Sequence, residues 1–202
     1  MRTSLKQLVS TTLLLLLLGV LAVAVFAGAG LYNFAADAPH SSPIVSLIDF
    51  ARQRSIAHHA GDIPVPDLGD PGKIKKGAGN YDAMCAQCHL SPAGHATELS
   101  KGLYPAPPNL AKATVQPGTA FWVIKHGIKA SGMPAWGTSM PDEDIWNIVA
   151  FLEELPKLSP QRYQELVAQS EGHSHDASGS AASARAGEAK PVAPKHHGGH
   201  QH

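Results

Sequence analysis

The chain has 202 residues, sixteen Lys and Arg against sixteen Asp and Glu, and a formal net charge of zero with histidine neutral. That balance excludes the basic footprint of a nucleic-acid binder. Two cysteines exclude a disulfide scaffold or a four-cysteine zinc site, and 6% aromatic residues imply a small soluble core.

Leu13 to Leu31 is an unbroken run of apolar residues and glycine. As a helix it spans about 28 Å, close to the hydrocarbon thickness of a bilayer. Arg2 and Lys6 precede it, and no Lys or Arg follows until Arg52. The positive-inside rule then predicts one pass through the inner (cytoplasmic) membrane, with residues 1–7 cytoplasmic and the remainder in the periplasm. Tyr32 and Phe34 stand where an aromatic belt would anchor the segment, 1–36 in all. The alternative is a cleaved signal peptide: Ala27-Gly28-Ala29 is an A-x-A-like site, and cleavage near Ala29 would release a soluble periplasmic protein.

Residues 37–71 are a connector. Pro43 to His59 can form a helix in which Ile44, Leu47, Ile48, Ala51 and Ile56 fall near helical spacing. It either lies on the membrane surface or packs on the folded domain, and the pattern does not separate the two. Pro64, Pro66 and Pro71 then impose an extended path.

Residues 72–168 are the globular part. Lys73 to Ala83 is expected to be helical and to run into the cysteine pair. Thr119 is an N-cap candidate for Phe121 to His126, with Gly127 ending that turn. Asp142, Glu143 and Asp144 follow Pro141, an acidic helix start. Ile145, Trp146, Ile148, Val149, Phe151, Leu152 and Leu155 give that helix a broad apolar face, and Pro156 stops it. Ser159-Pro160 opens one more short helix through Val167. No β-alternation of useful length occurs, so the expected class is all-α.

Residues 169–202 form a tail whose last 32 positions lack Leu, Ile, Phe, Met, Trp and Tyr but hold six histidines. It cannot bury enough apolar surface to offset its ordering entropy and is expected to be disordered. Its imidazoles, from His173 to His202, should bind Cu, Ni or Zn loosely.

The chemistry sits in Cys85-Ala86-Gln87-Cys88-His89. Two thiols at this spacing could form a disulfide or a redox pair, but the adjacent His89 completes the c-type haem attachment pattern. Each thiol can add across a haem vinyl group to give a thioether. The neighbouring His89 is then delivered under the ring, where a neutral imidazole can bind iron. Of four methionines, Met1 is the start and Met84 is too near the attachment site to cross the ring. Met133 stands in the loop Ser131-Gly132-Met133-Pro134-Ala135-Trp136, where glycine allows close approach and proline stiffens the exit, so it is the expected second axial ligand. Met140, at a helix mouth, is expected to be a partly exposed packing residue.

With these residues in order, the chain resembles a class I cytochrome c over about residues 73–155, and more closely the membrane-anchored monohaem cytochromes c of proteobacteria. The resemblance rests on Gly77 and Tyr81, Cys85 to His89, Pro108-Asn109-Leu110, Gly132-Met133-Pro134 and the helix around Trp146 to Leu152. It implies one covalent haem c, a Pro108 carbonyl accepting the free N–H of His89, and Leu110 against the ring. It implies that Gly77 lets the first domain helix cross the last, with Tyr81 meeting Ile148 and Phe151. Tyr104 and Trp136 are expected at the haem pocket, either bonding a propionate or simply lining it. His/Met ligation favours ferrous iron and suits electron transfer.

The expected function is therefore one-electron carriage without enzymatic turnover. The donor would be a quinol-oxidising complex or dehydrogenase, and the acceptor a terminal oxidase or reductase. Lys101, Lys112, Lys125 and Lys129 either present a docking face or are scattered solubilising charges. His58, His59, His95 and His126 are expected to be solvated or lightly bonded. A gas sensor or enzyme would need an open sixth site, and a metal handler would depend on the tail.

Overall fold

A computed structural model of the chain describes residues 4–170. The tail enters the described residues only at Gln169, the last residue of the final helix, and Ser170; its histidines, with their expected metal affinity, and the rest of its expected disorder lie outside them, as does Arg2. Among the described residues every regular element is helical and no strand occurs.

The first helix, α1 (Leu5–Gly28), has a mean hydropathy of 2.7 in its most apolar window, and none of that window is buried by the protein. It starts earlier than the apolar run because its polar first turns satisfy themselves: the Thr11 and Thr12 hydroxyls donate to the carbonyls of Gln7 and Leu8 at 2.9 and 3.0 Å. It stops short of Leu31, with Gly30 at φ +65° just beyond it. At 1.5 Å per residue it measures about 36 Å, enough to cross a bilayer. Length and composition suit an anchor or a signal sequence alike.

The connector is not a free leash. The Tyr32 hydroxyl hydrogen-bonds His40 Nδ1 and the two rings stack. The His40 amide donates to the Tyr104 hydroxyl at 3.2 Å, with the His40 and Tyr104 rings edge-on at 5.3 Å. Next comes α2 (Ser42–Ala60), whose C-terminal end packs on α6 (Pro117–His126). There Ala60 is buried, the His59 ring stacks parallel on Trp122 at 5.7 Å, and a Cβ on Gly118 would come within 3.2 Å of the Ala60 carbonyl. The helix therefore carries two apolar stripes. Val45, Ile56 and Ala60 turn towards the domain, while Ile44, Leu47 and Ile48 stay exposed.

The domain is built on the crossing of α3 (Pro71–Met84) and α7 (Asp142–Glu154). Asp70 caps α3 by accepting the Gly72 amide at 2.7 Å, with Pro71 in the first helical position. A Cβ on Gly77 would lie 1.9 Å from the Asn147 carbonyl oxygen and 2.8 Å from Phe151 Cβ, so only glycine lets the two backbones meet. One turn on, the Tyr81 and Phe151 rings pack at 5.4 Å, and Ile148 is buried in the same core. Pro156 falls in a 3₁₀ turn, Leu155–Lys157, that ends α7. The last helix, α8 (Pro160–Gln169), is capped by the Ser159 hydroxyl, which accepts the Arg162 amide. It closes the core with Tyr163, which is 1% exposed and donates its hydroxyl to Asp82 at 2.7 Å.

Two sequence expectations shift. α6 begins at Pro117 with Gln116 as its N-cap, not at Thr119, because proline at the first position is pre-set for a helix. Thr119 becomes the third helical residue and faces the site described below. Met140 is 4% exposed, a core residue rather than a partly exposed one.

Candidate cofactor site

α3 ends at Met84, and the chain turns at once into α4 (Ala86–His89). The Cys88 and His89 amides both donate to the Cys85 carbonyl, at 3.1 and 2.8 Å. This turn brings residues three and four apart onto one side, and Cys85, Cys88 and His89 all line one cavity of about 340 Å³, within the usual range for a cofactor pocket. Leu90, at φ +66°, breaks the turn, and its carbonyl accepts the Tyr81 hydroxyl at 2.6 Å.

The loop before α6 straps His89 twice. His89 Nδ1 lies 2.9 Å from the Pro108 carbonyl oxygen, and the Leu110 amide donates to the His89 carbonyl at 3.1 Å. A carbonyl can only accept, so Nδ1 carries the proton and Nε2 keeps its lone pair. Burial lowers the His89 pKa, opposed by the Pro108 hydrogen bond, so the ring is neutral at pH 7. Burial, with Cys88 adding to it, pushes the Cys85 thiol up to about 12, so it stays protonated. Neither cysteine is in a disulfide.

Met133 lines the same cavity from a loop folded back on α6. The Ile128 amide donates to the Met133 carbonyl at 3.1 Å. The Ser131 hydroxyl donates to the Ile128 carbonyl at 2.7 Å and accepts the Met133 amide at 3.2 Å. Gly127, at φ +64°, sits where a Cβ would be 2.7 Å from the Met133 carbonyl oxygen. Pro108, Leu110 and Trp136 line the cavity as well. Met84 does so beside Cys85, whereas Met140 does not. Tyr104 is also absent from the wall, its hydroxyl being held by the His40 amide. Of the candidate docking lysines, Lys125 is paired with Asp142 at 2.8 Å and lies over the Phe121 ring. Lys101, Lys112 and Lys129 are exposed.

One lining residue has no signal in the attachment motif or its neighbours: Arg52, from α2. Its only advance notice was being the first basic residue after the apolar run.

The donor set is two thiols, a neutral imidazole and a thioether on a mainly apolar wall. Among the described residues no three His, Cys, Asp or Glu side chains cluster as a cage for a bare metal ion. Donors spread around one mainly apolar chamber fit a metal carried in a macrocycle rather than a bare ion. The residues present therefore fit haem c.

Residues 72–152 match the family described as cytochrome C oxidase, cbb3-type, subunit III. No curated protein and no solved structure matches the chain. The matched stretch runs from the first turn of α3 into α7. It thus contains the Gly77 crossing, both cysteines, His89 and Met133, and residues 72–152 are a class I cytochrome c-type domain.

Proposed function

We propose that the chain is a one-electron carrier with a single haem c, joined to Cys85 and Cys88 and ligated by His89 and Met133. One observation carries the reading: Cys85, Cys88, His89 and Met133 line a single apolar cavity, although Met133 is far from the others in sequence. When bound, haem supplies the one-electron iron couple. The chain's own residues do the rest. The thiols anchor, each S–H adding its sulfur and hydrogen across one vinyl double bond. The Pro108 carbonyl orients the His89 ring and raises its basicity. Met133 supplies the soft donor that favours the ferrous state. The apolar wall, including Leu110, Ile124 and Leu152, excludes water.

α1 would hold the domain on the periplasmic face of the inner membrane, between a quinol-oxidising complex or dehydrogenase and a terminal oxidase or reductase. The matched family is described as a subunit of a cbb3-type oxidase, which favours an oxidase among the acceptors. The test is the purified protein from a haem-maturing host. A stained haem band should survive denaturing electrophoresis and disappear in the Cys85→Ala, Cys88→Ala double variant. The ferric form should show a methionine–iron band, and the ferrous form should not bind CO. Rapid CO binding by the wild-type protein would overturn the carrier reading in favour of an open sixth site.

A further inference from the structure

Among the described residues, the cavity wall holds a single permanently charged side chain, and it comes from outside the matched domain. Arg52, on α2, lines the chamber otherwise walled mainly by apolar residues. Its side chain is 28% exposed, and one guanidinium nitrogen lies 2.9 Å from Asp49 Oδ1. A guanidinium is always charged and has five N–H donors in a planar fork. The Asp49 contact leaves others for a second anion. Arg52 is not a wandering surface group, because α2 is docked on α6 through Ala60 and the His59–Trp122 stack. A cation delivered by a docked helix to an apolar chamber calls for an anion inside it.

We propose that Arg52 binds a carboxylate of the haem in this cavity, so that the connector helix completes the cofactor site. This rests on the haem reading above. The anion is a propionate, the only anionic group haem carries at its edge. A guanidinium fork matches a carboxylate with two parallel, charge-assisted hydrogen bonds. Tyr104, one of the two residues expected to serve a propionate, is engaged by the connector instead. A fixed positive charge beside the propionate offsets its negative field at the iron and favours the ferrous state.

The test uses the full-length protein in detergent, with Arg52→Gln, Arg52→Lys and Arg54→Gln variants. Arg54 is exposed on the same helix and does not line the cavity, so its loss removes the same charge from elsewhere. Haem staining of each sample accompanies an equilibrium redox titration and a resonance Raman spectrum of the propionate bending mode. Arg52→Gln should lower the ferrous-to-ferric ratio at a fixed ambient potential by roughly 10- to 20-fold, as for one unit charge removed on the order of 10 Å away at an effective dielectric of about 20. Arg52→Lys should recover most of that ratio, and Arg54→Gln should leave it near the wild-type value. The bending mode should move in Arg52→Gln alone. A haem-bearing Arg52→Gln protein with unchanged ratio and unchanged mode overturns the proposal, as does an equal effect from Arg54→Gln. Wild-type protein without covalent haem would overturn the haem reading and this one together.

Discussion

Replacing Gly77 with alanine puts one methyl group where two helices touch. Its carbon would lie 1.9 Å from the Asn147 carbonyl oxygen, 2.6 Å from the Asn147 carbonyl carbon and 2.8 Å from Phe151 Cβ. Ordinary contact begins near 3.4 Å, so α3 and α7 must part by roughly 1.5 Å, and backbone cannot swing aside as a side chain can. Overpacking in a core costs about 1–3 kcal/mol when side chains can adjust, and occasionally more. Here the rigid contact places the cost at the top of that range. Alanine returns up to about 1 kcal/mol of helix propensity, which leaves a net loss of about 2–3 kcal/mol. In a domain of this size each kcal/mol moves the melting temperature by about 4–8 °C, so a fall of about 8–24 °C is expected. The assay is thermal unfolding of the haem-bearing protein, followed in the haem absorption and in far-ultraviolet dichroism. Gly102→Ala is the control, since its Cβ would meet nothing within 4 Å, and it should stay within about 1 kcal/mol of wild type. A Gly77→Ala protein that melts at or above the wild-type temperature would refute the close crossing, because propensity alone would then be deciding the sign.

Met133→Ala should give a high-spin or water-ligated ferric spectrum, a lower potential and a site open to CO, read by optical titration. Met140→Ala should keep the low-spin spectrum yet cost about 2–5 kcal/mol in denaturant unfolding, because Met140 is buried in the core; exchanged outcomes would reverse the ligand assignment. Burial raises the pKa of Tyr81 and, together with the Asp82 contact, that of Tyr163. Above pH of about 10 the unfolded chain releases protons that the folded chain retains, so stability must fall as pH rises beyond that point. Tyr163→Phe should flatten that alkaline slope, and a slope equal to wild type would show that Tyr163 is not held protonated. A phosphatase fused after residue 40 should be active, with Arg2 still present in the mature chain; a mature N-terminus at Gly30 would instead indicate a cleaved signal sequence.

Local signals were legible where covalent or helical geometry alone decides. Pro141 followed by three acids and an apolar face announces α7, and Ser159-Pro160 announces α8, whose cap is the Ser159 hydroxyl. The Cys85 to His89 spacing announces a shared wall, because one turn of helix brings those three side chains to one cavity. Burial set by other elements was not legible. Met140 reads as a helix mouth, and only α7 folded over α3 shows it to be core. Thr119 looked like a cap because hydroxyls usually are, but Pro117 pre-sets the helix two residues earlier. The two stripes of α2 blur into one weak pattern in sequence, so its docking on α6 and the arrival of Arg52 at the cavity had no local signature. Tyr104 matched a family position, yet its hydroxyl is engaged by His40, a partner 64 residues away.

The Tyr32–His40–Tyr104 clasp sets how far the domain can travel. Between the end of α1 at Gly28 and the clasp at Tyr32 only Ala29, Gly30 and Leu31 remain, a span of roughly 10 Å when fully extended. A forty-residue leash would let a haem sweep a wide hemisphere and serve partners whose ports stand high above the bilayer. On the proposed reading, with α1 as the anchor, the clasped connector would confine the haem to a thin layer near the lipid surface. Diffusion would then be two-dimensional, and a partner would have to open its port at that height. Freeing the clasp would trade a high local concentration at one height for reach.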